Sequence, residues 1–587
     1  MKTEKLIFIG GTMLLAIAAL FFFVFSRLYR ESQLIRESTV SPVDLSDDVM
    51  ALNVGTLHAT SLHLAPSRDE QITHVYPNPY SQIEEFMAGF YWADKNIEPS
   101  PDFMIRAAVV PHHLMATGSM ASGIKMLEGQ KFEKIVLLSP DHFFKCPTLV
   151  CTVNAGYKTF FGDVLADPVA IQTLRSSPLV SEDEALFKNE HGIYAVLPYI
   201  AHYFPGVPVT PVALSVTRPW KVDQESLLQL FGELLTPDTL LIVSSDFSHY
   251  LTLPEAEKKD EATAKILFSK DLAGIAALQN PEQSDCPQCL WVLANLADRG
   301  GFYNPSTLRH TNSAILGNDL TVKETTSHFA MVWYQNALLG PEDLAIAGDV
   351  TVTRGLRKNV LPEQVKNWWS GEGIRLVNLE GPLREKCTPS SNIFIFCNLL
   401  SRWSSLKNLA THWGIENNHM WDQGAGSLAE TKRLLGQSGE IAVGTDGWSN
   451  DKIRILTLTH LLNPVSNTPR NIAPDQRSVL ETLRNNPEPD KMTVVLIHDA
   501  PEYQALPRDS DTLRYQSFID AGADALIVAH SHVPGDLFIY KNKPIFRGIG
   551  NFIFDQYETI PTTTGKMVRF RKEGERVLFE TMVARIP

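Results

Sequence analysis

Two short runs of branched apolar residues that end in histidine constrain this chain most. Val494, Val495, Leu496 and Ile497 run into His498, and Ala525, Leu526, Ile527 and Val528 run through Ala529 into His530, Ser531 and His532. Between them Asp509, Ser510 and Asp511 offer helix N-caps and Gly522 offers a stop, so the segment reads as strand, helix, strand. Open α/β sheets gather their ligands just beyond the carboxyl ends of the strands. Three imidazoles at two such ends mark a candidate metal site, because neutral imidazole suits zinc, iron, manganese and similar ions. One buried histidine is more often structural, so the weight rests on the whole set.

The same grammar occurs earlier in the chain. Residues 105–110 lead into Pro111, His112 and His113, residues 135–139 into Pro140, Asp141 and His142, and residues 240–245 into Asp246, Phe247, Ser248 and His249. Each run reads as a buried strand ending in a side chain able to bind metal or move a proton. Asn189, Glu190 and His191 open a further segment, 193–204, with helical spacing of its apolar residues.

With 587 residues the chain is too long for one ordinary domain. Its 44% hydrophobic and 20% charged residues predict a folded protein. A formal net charge of −14, without a basic block, argues against nucleic acid as a partner. Residues 6–26 carry no charge and are flanked by Lys2, Lys5, Arg27 and Arg30. That is long enough to cross a bilayer, and the reading is an uncleaved signal anchor, with a cleaved signal as the alternative. The expected protein is therefore a single-pass protein of the cell membrane, held through its N-terminal helix, with its globular part outside the cytoplasm. The six cysteines fall into local pairs, 146/151, 286/289 and 387/397, which suits an oxidising compartment. The expected organisation is α/β throughout: a cytoplasmic tip and anchor (1–30), a membrane-proximal linker (31–101) that becomes ordered near Tyr80, Ser81, Gln82 and Ile83, and two α/β sandwich domains (102–338 and 343–587).

The runs VVPHH, LLSPDHF, NEHGIYAVLPYI, VPVTPVALS and LLIVSSDFSHY together resemble the Memo family, whose fold is related to class III extradiol dioxygenases. The resemblance implies an iron or copper ion held by His112, His142 and Cys286, with His191, Asp246 and His249 lining the same pocket. Cys286 and Cys289 also have redox-dithiol spacing, so a disulfide competes with metal ligation there. Cys146 with Cys151 reads as a structural disulfide.

In the second half, residues 344–347 deliver Gly348 and Asp349, where the missing glycine side chain frees the backbone beside the carboxylate. Residues 375–379 deliver Glu380, and Glu416 to His419 follow. Carboxylate, amide and imidazole donors from separate loops fit a hard to borderline divalent metal, or two ions sharing a carboxylate. The motifs AIAGDV, LVNLEGPL, ENNHMWDQG, LIHDAPEY, IDAGADALIVAHSHV and YKNKPIFRGIGNFIFD resemble the CapA family of capsule or poly-γ-glutamate synthesis proteins, with a calcineurin-like metallophosphoesterase fold. That resemblance implies a four-layer sandwich and a ligand set of Asp349, Glu380, Asn418, His419, His498, His530 and His532, with Asn551 as a nearby polar contact. The metal there would be manganese, zinc, iron or magnesium. Thr351 stands where true metallophosphoesterases carry a second histidine, which weakens one of two metal sites. Cys387 and Cys397 bracket a loop and read as a structural disulfide.

Three functions follow as expectations. The first is a metal-dependent hydrolase or transferase acting on an envelope polymer such as poly-γ-glutamate, with His419 or His498 protonating the leaving group. The second is a non-catalytic polymer-binding or assembly factor of a capsule export complex. The third is an iron or copper redox protein acting through the Memo-like half.

Overall fold

A computed structural model describes residues 74–354, 361–406, 408–461 and 476–586. The expected anchor and most of the expected linker lie outside the described residues. Among the described residues no helix is long and apolar enough to cross a membrane.

The first lobe is built on a nine-stranded sheet. Its strands are β1 (Ile105–Val110), β2 (Lys134–Pro140), β3 (Val150–Thr152), β4 (Val180–Glu182), β5 (Val209–Leu214), β6 (Thr239–Ser244), β7 (His249–Leu251), β8 (Pro305–Asn312) and β9 (Thr325–Tyr334), in the order β7-β9-β1-β6-β2-β5-β3-β4 with β8 on β9. Side chains alternate across a strand, and β1 shows the result. Ala108 and Val110 join one apolar cluster with Phe86 and Phe90 of α1 (Glu84–Asn96) and Met120 and Ile124 of α2 (Thr117–Lys125). Ala107 and Val109 join another with Leu227 and Phe231 of α3 (Gln224–Leu234), Leu267 and Phe268 of α4 (Leu253–Phe268), and Leu290 and Leu293 of α5 (Pro287–Arg299). Strands β1, β6, β2 and β5 run parallel, so their carboxyl ends share one edge. That edge receives His112, Asp246 and His142.

The expected linker runs through residue 101, becoming ordered near Tyr80, and in the structure its residues from His74 onward pack into the first lobe. His74–Tyr76 is a strand paired in parallel with Ala155–Thr159, and α1 buries Phe86, Phe90 and Ala93 in the lobe. Large aromatic residues spaced for one helix face hold this segment to the core.

The second lobe carries β10 (Leu344–Val350), β11 (Arg375–Leu379), β12 (His412–Gly414), β13 (Ile441–Val443), β14 (Trp448–Ser449), β15 (Ile453–Thr459), β16 (Met492–His498), β17 (Ala525–Ala529), β18 (Leu537–Tyr540), β19 (Lys543–Phe546), β20 (Asn551–Ile553), β21 (Thr564–Glu573) and β22 (Arg576–Arg585). One sheet has the order β13-β12-β11-β10-β21-β22 with β20 on β10, and the other β14-β15-β16-β17-β19-β18. The two sheets face each other: Ile346 and Leu376 share an apolar cluster with Ile455, Val494, Leu496 and Ile527. On the outer face of the first sheet lie α6 (Glu363–Trp369) and α7 (Ser427–Gln437), through Val365, Trp369, Leu434 and Leu435. On the outer face of the second lie α8 (Gln476–Asn485) and α9 (Asp509–Asp520), through Val479, Leu483, Tyr515 and Phe518. The result is an α/β sandwich layered helix, sheet, sheet, helix.

Residues from Glu70 onward make one compact unit, and the two lobes share a core within it. Phe103 stacks on Phe579 at 5.5 Å between ring centroids. The buried pair Arg547 and Asp536 is bound to Thr307 of β8, whose N–H donates to Asp536 Oδ2 at 2.8 Å while its carbonyl accepts from Arg547 at 3.1 Å. The Glu261 carboxylate of α4 accepts from the backbone N–H groups of Ala505 (2.6 Å) and Leu506 (3.1 Å). Ala505 and Leu506 pack into the apolar cluster of the first lobe.

Candidate metal centres

In the second lobe the strand ends bring the expected residues to one place. Register pairs Asp349 on β10 with Asn378 on β11 and Asn551 on β20. Gly348 makes that closeness possible, since a Cβ there would lie 1.8 Å from the Gly550 carbonyl oxygen. Asp349 Oδ1 accepts from the Asn378 amide at 2.8 Å and lies 3.6 Å from His498 Nδ1. Its Oδ2 accepts from the His530 N–H at 3.1 Å and lies 3.5 Å from His532 Nδ1. Glu380 Oε1 is 3.6 Å from His532 Nε2 and 3.9 Å from His419 Nε2. His498 Nε2 meets Asn418 Oδ1 at 3.0 Å, and His532 Nδ1 meets Asn551 Oδ1 at 2.9 Å. Asn417 staples two of the loops, donating to the Leu379 carbonyl at 2.7 Å and accepting from the Gly381 and His419 N–H groups at 3.2 Å each.

The electrostatics of this cluster call for a cation. Glu380 is fully buried and neither of its carboxylate oxygens has a hydrogen-bond partner; His530 Nδ1 is likewise buried without one. Such orphans are costly in a folded core. Burial, with Asp349 and Glu502 nearby, pushes the Glu380 carboxyl well above its usual range. Burial alone would raise Asp349 too, but His498, His532 and the Asn378 amide hold it below. Burial and the surrounding imidazoles depress His530, leaving it a neutral donor. Two carboxylates among imidazoles are a divalent-metal donor set, and Glu380, His530 and His532 offer ligand atoms within 4.8 Å of one another. These residues fit the metal.

A cleft of about 360 Å³ opens onto this cluster, lined by Glu380, His419, His532, Phe396 and Tyr503 among others. The sequence offers His419 and His498 as proton donors, and only His419 is among the lining residues. Its Nδ1 meets Asp422 Oδ2 at 2.8 Å and its ring stacks on Phe396 at 4.1 Å. His498 has both ring nitrogens engaged behind the carboxylates. Asp422 and Asn378 went unremarked in the sequence, although both stand inside motifs that carry the expected ligands. Thr351 is buried, with its hydroxyl bound to Asn398 and Thr353.

The first lobe holds a second cluster. His112 and His142 lie 4.7 Å apart by ring centroid, and His191, half exposed at the mouth, lies 4.0 Å from His142. His112 Nε2 is 3.2 Å from Asp285 Oδ2 and 3.5 Å from Asp246 Oδ2. His142 Nδ1 meets Glu190 Oε1 at 2.6 Å, and Asp246 Oδ1 meets His328 Nδ1 at 2.7 Å. Burial opposes protonation of His142, but Asp285 and Glu190 outweigh it and raise its pKa to about 10. Burial and the neighbouring His142 and His112 lower His191 to about 4. One expectation needs correcting. Cys286 is joined to Cys289 in a disulfide, and no free cysteine occurs among the described residues, so Cys286 has no thiolate to offer. His249, the first residue of β7, engages the Phe247 carbonyl through Nδ1 and lies near His113 at the same strand ends. Asp285 and His328 are not among the expected residues, and Glu190, expected only as part of the opening of a helical segment, is the partner of His142. The two outer disulfides, 146 with 151 and 387 with 397, are closed.

The molecule is thus a two-lobed α/β protein with a cluster of metal-ligating side chains at the strand ends of each lobe. Residues 73–296 match the family model of Memo-like proteins, and residues 343–556 that of the bacterial capsule synthesis protein PGA_cap. The chain therefore joins a Memo-like domain to a PGA_cap domain. A MEMO1 family protein of Aquifex aeolicus is 29% identical over 195 residues, covering 32% of this chain and 68% of that protein. One from Pyrobaculum aerophilum is 25% identical over 239 residues, covering 38% and 82%. The capsule biosynthesis protein CapA of Bacillus anthracis is 26% identical over 162 residues, covering 24% of this chain and 39% of that protein.

Proposed function

We propose that this is a membrane-anchored, extracytoplasmic metal-dependent hydrolase or transferase whose second lobe, read as a metallophosphoesterase-like sandwich, acts on a phosphoester or γ-glutamyl linkage of an envelope polymer. The observation that carries the reading is Glu380, a buried carboxylate without a hydrogen bond, set among His419, His530 and His532. Asp349, Glu380, His530 and His532 would hold a divalent ion, with His498 and Asn418, bonded to each other, beside it. When bound, such an ion activates a water and stabilises charge on the scissile group. The chain's own part is orientation and proton transfer. Asp422 fixes the His419 imidazole through Nδ1, leaving Nε2 turned toward Glu380 on the cleft side to protonate the leaving atom as water adds to the other fragment. Phe396 holds the ring in plane.

The test uses the full chain, the His530→Ala/His532→Ala variant and the His112→Ala/His142→Ala variant. Elemental analysis is expected to show metal lost from the second lobe in the first variant only. Hydrolysis of a phosphodiester or a γ-glutamyl amide should be lost with it. Unchanged metal content in the first variant would sink the proposal. A second reading, a non-catalytic polymer-binding factor, is favoured by Thr351, whose hydroxyl is committed to Asn398 and Thr353 where a second histidine would serve metal. Metal binding without turnover of either substrate class would support it.

A further inference from the structure

The Memo resemblance asks for a thiolate beside His112 and His142, and the residues present do not fit that request. Cys286 and Cys289 are both buried and joined to each other. The residue before them supplies a donor instead. Asp285 Oδ2 lies 3.2 Å from His112 Nε2 and 3.8 Å from His142 Nε2, so three ligand atoms from three separate elements converge. The outer nitrogens of both imidazoles are occupied: His112 Nδ1 by the Ser244 hydroxyl at 3.0 Å, and His142 Nδ1 by Glu190 at 2.6 Å. That is the usual arrangement behind metal-binding histidines, with the second nitrogen engaged and the first left for the ion. Asp285 is itself braced, accepting the Ser245 hydroxyl on Oδ1 at 2.8 Å and the Asp246 N–H on Oδ2 at 3.2 Å.

We propose that His112, His142 and Asp285 form a two-histidine, one-carboxylate metal site in which the carboxylate takes the place of the thiolate. Asp246, 3.5 Å from His112 Nε2 and tied through Oδ1 to His328, stands beside it as a further anionic neighbour. With sulfur locked in a disulfide, the donors are imidazole and carboxylate only. Such a set favours iron(II), manganese, cobalt or zinc over copper(I), which softer sulfur ligands select. The disulfide also fixes the start of α5 directly behind Asp285 and so holds the carboxylate at the two imidazoles.

The test uses the full chain carrying His530→Ala and His532→Ala, so that bound metal belongs to the first lobe. The protein is loaded with cobalt(II), and absorption and cobalt affinity are measured. The expected spectrum shows ligand-field bands without a thiolate-to-cobalt charge-transfer band. Adding Asp285→Asn should weaken cobalt binding by more than about ten-fold. Adding Cys286→Ser with Cys289→Ser should leave affinity within about two-fold if these variants keep the fold, read by circular dichroism. The cobalt spectrum of the His530→Ala/His532→Ala protein decides even if a further variant misfolds. A thiolate charge-transfer band, no cobalt bound at all, or loss of cobalt in the double serine variant with retention in Asp285→Asn would each overturn the proposal. None of these outcomes bears on the metal of the second lobe.

Discussion

His530 and His532 both adopt left-handed backbone conformations, at φ 82° and 55°. A side chain with a Cβ is strained there, and such strain tends to sit at functional sites. Asn tolerates this region better than most residues, so His530→Asn should leave the metal-free protein's thermal midpoint close to wild type while lowering metal affinity by at least about ten-fold. Asp422 acts through His419, so Asp422→Asn should lower kcat on the preferred substrate by about 10–100-fold and leave KM nearly unchanged, as steady-state kinetics would show. His412 supplies a pH test away from both clusters. Burial lowers its pKa from 6.5 to about 4, and its Nε2 has no partner. The unfolded chain therefore takes up a proton below pH 6.5 that the folded chain refuses until about pH 4. Its stability contribution is fully present above pH 6.5 and is lost as pH falls toward 4. Denaturant titrations should show a shallower loss across that window in His412→Gln. The ligand histidines were legible because each closes an apolar run. Asp285 and Asp422 were not, because a carboxylate in a loop looks solvated until its partners from other strands are in place.

At the level of elements, strand ends do the positioning, and a glycine lets two of them meet. The Gly348 Cα faces the Gly550 carbonyl so closely that Gly348→Ala must part β10 from the segment before β20. The expected cost is about 3 kcal/mol, measured as a lower urea midpoint with an unchanged slope. Strands β1, β2, β6, β16 and β17 were readable as runs of buried apolar residues. The hairpin of β21 and β22 was not singled out, because Lys566 and Arg569 interrupt its apolar pattern. In the fold both side chains are buried, Lys566 donating to the Gly535 carbonyl and Arg569 pairing with Glu580 at 3.2 Å. The place of the far part of the expected linker in the first lobe was hidden in the same way, since α1 and the strand at His74–Tyr76 are held by contacts with residues about 80 to 110 positions away, which no local pattern displays.

On the scale of the whole molecule the two lobes are not independent. The loop after β16 carries Glu502 and Tyr503, which line the cleft, and ends in Ala505 and Leu506, held by Glu261 in the other lobe. Glu261→Gln offers one acceptor and one donor to two N–H groups, so hydrogen exchange at Ala505 and Leu506 should quicken while exchange in β1 and β6 stays as in the wild type. Unaltered exchange at those two amides would show the clamp to be dispensable. Glu261 thus sits some 240 positions from the loop it braces. A random-mutagenesis screen scored for second-lobe activity would return hits in α4, and a linear map of them would assign that activity to the wrong half of the gene.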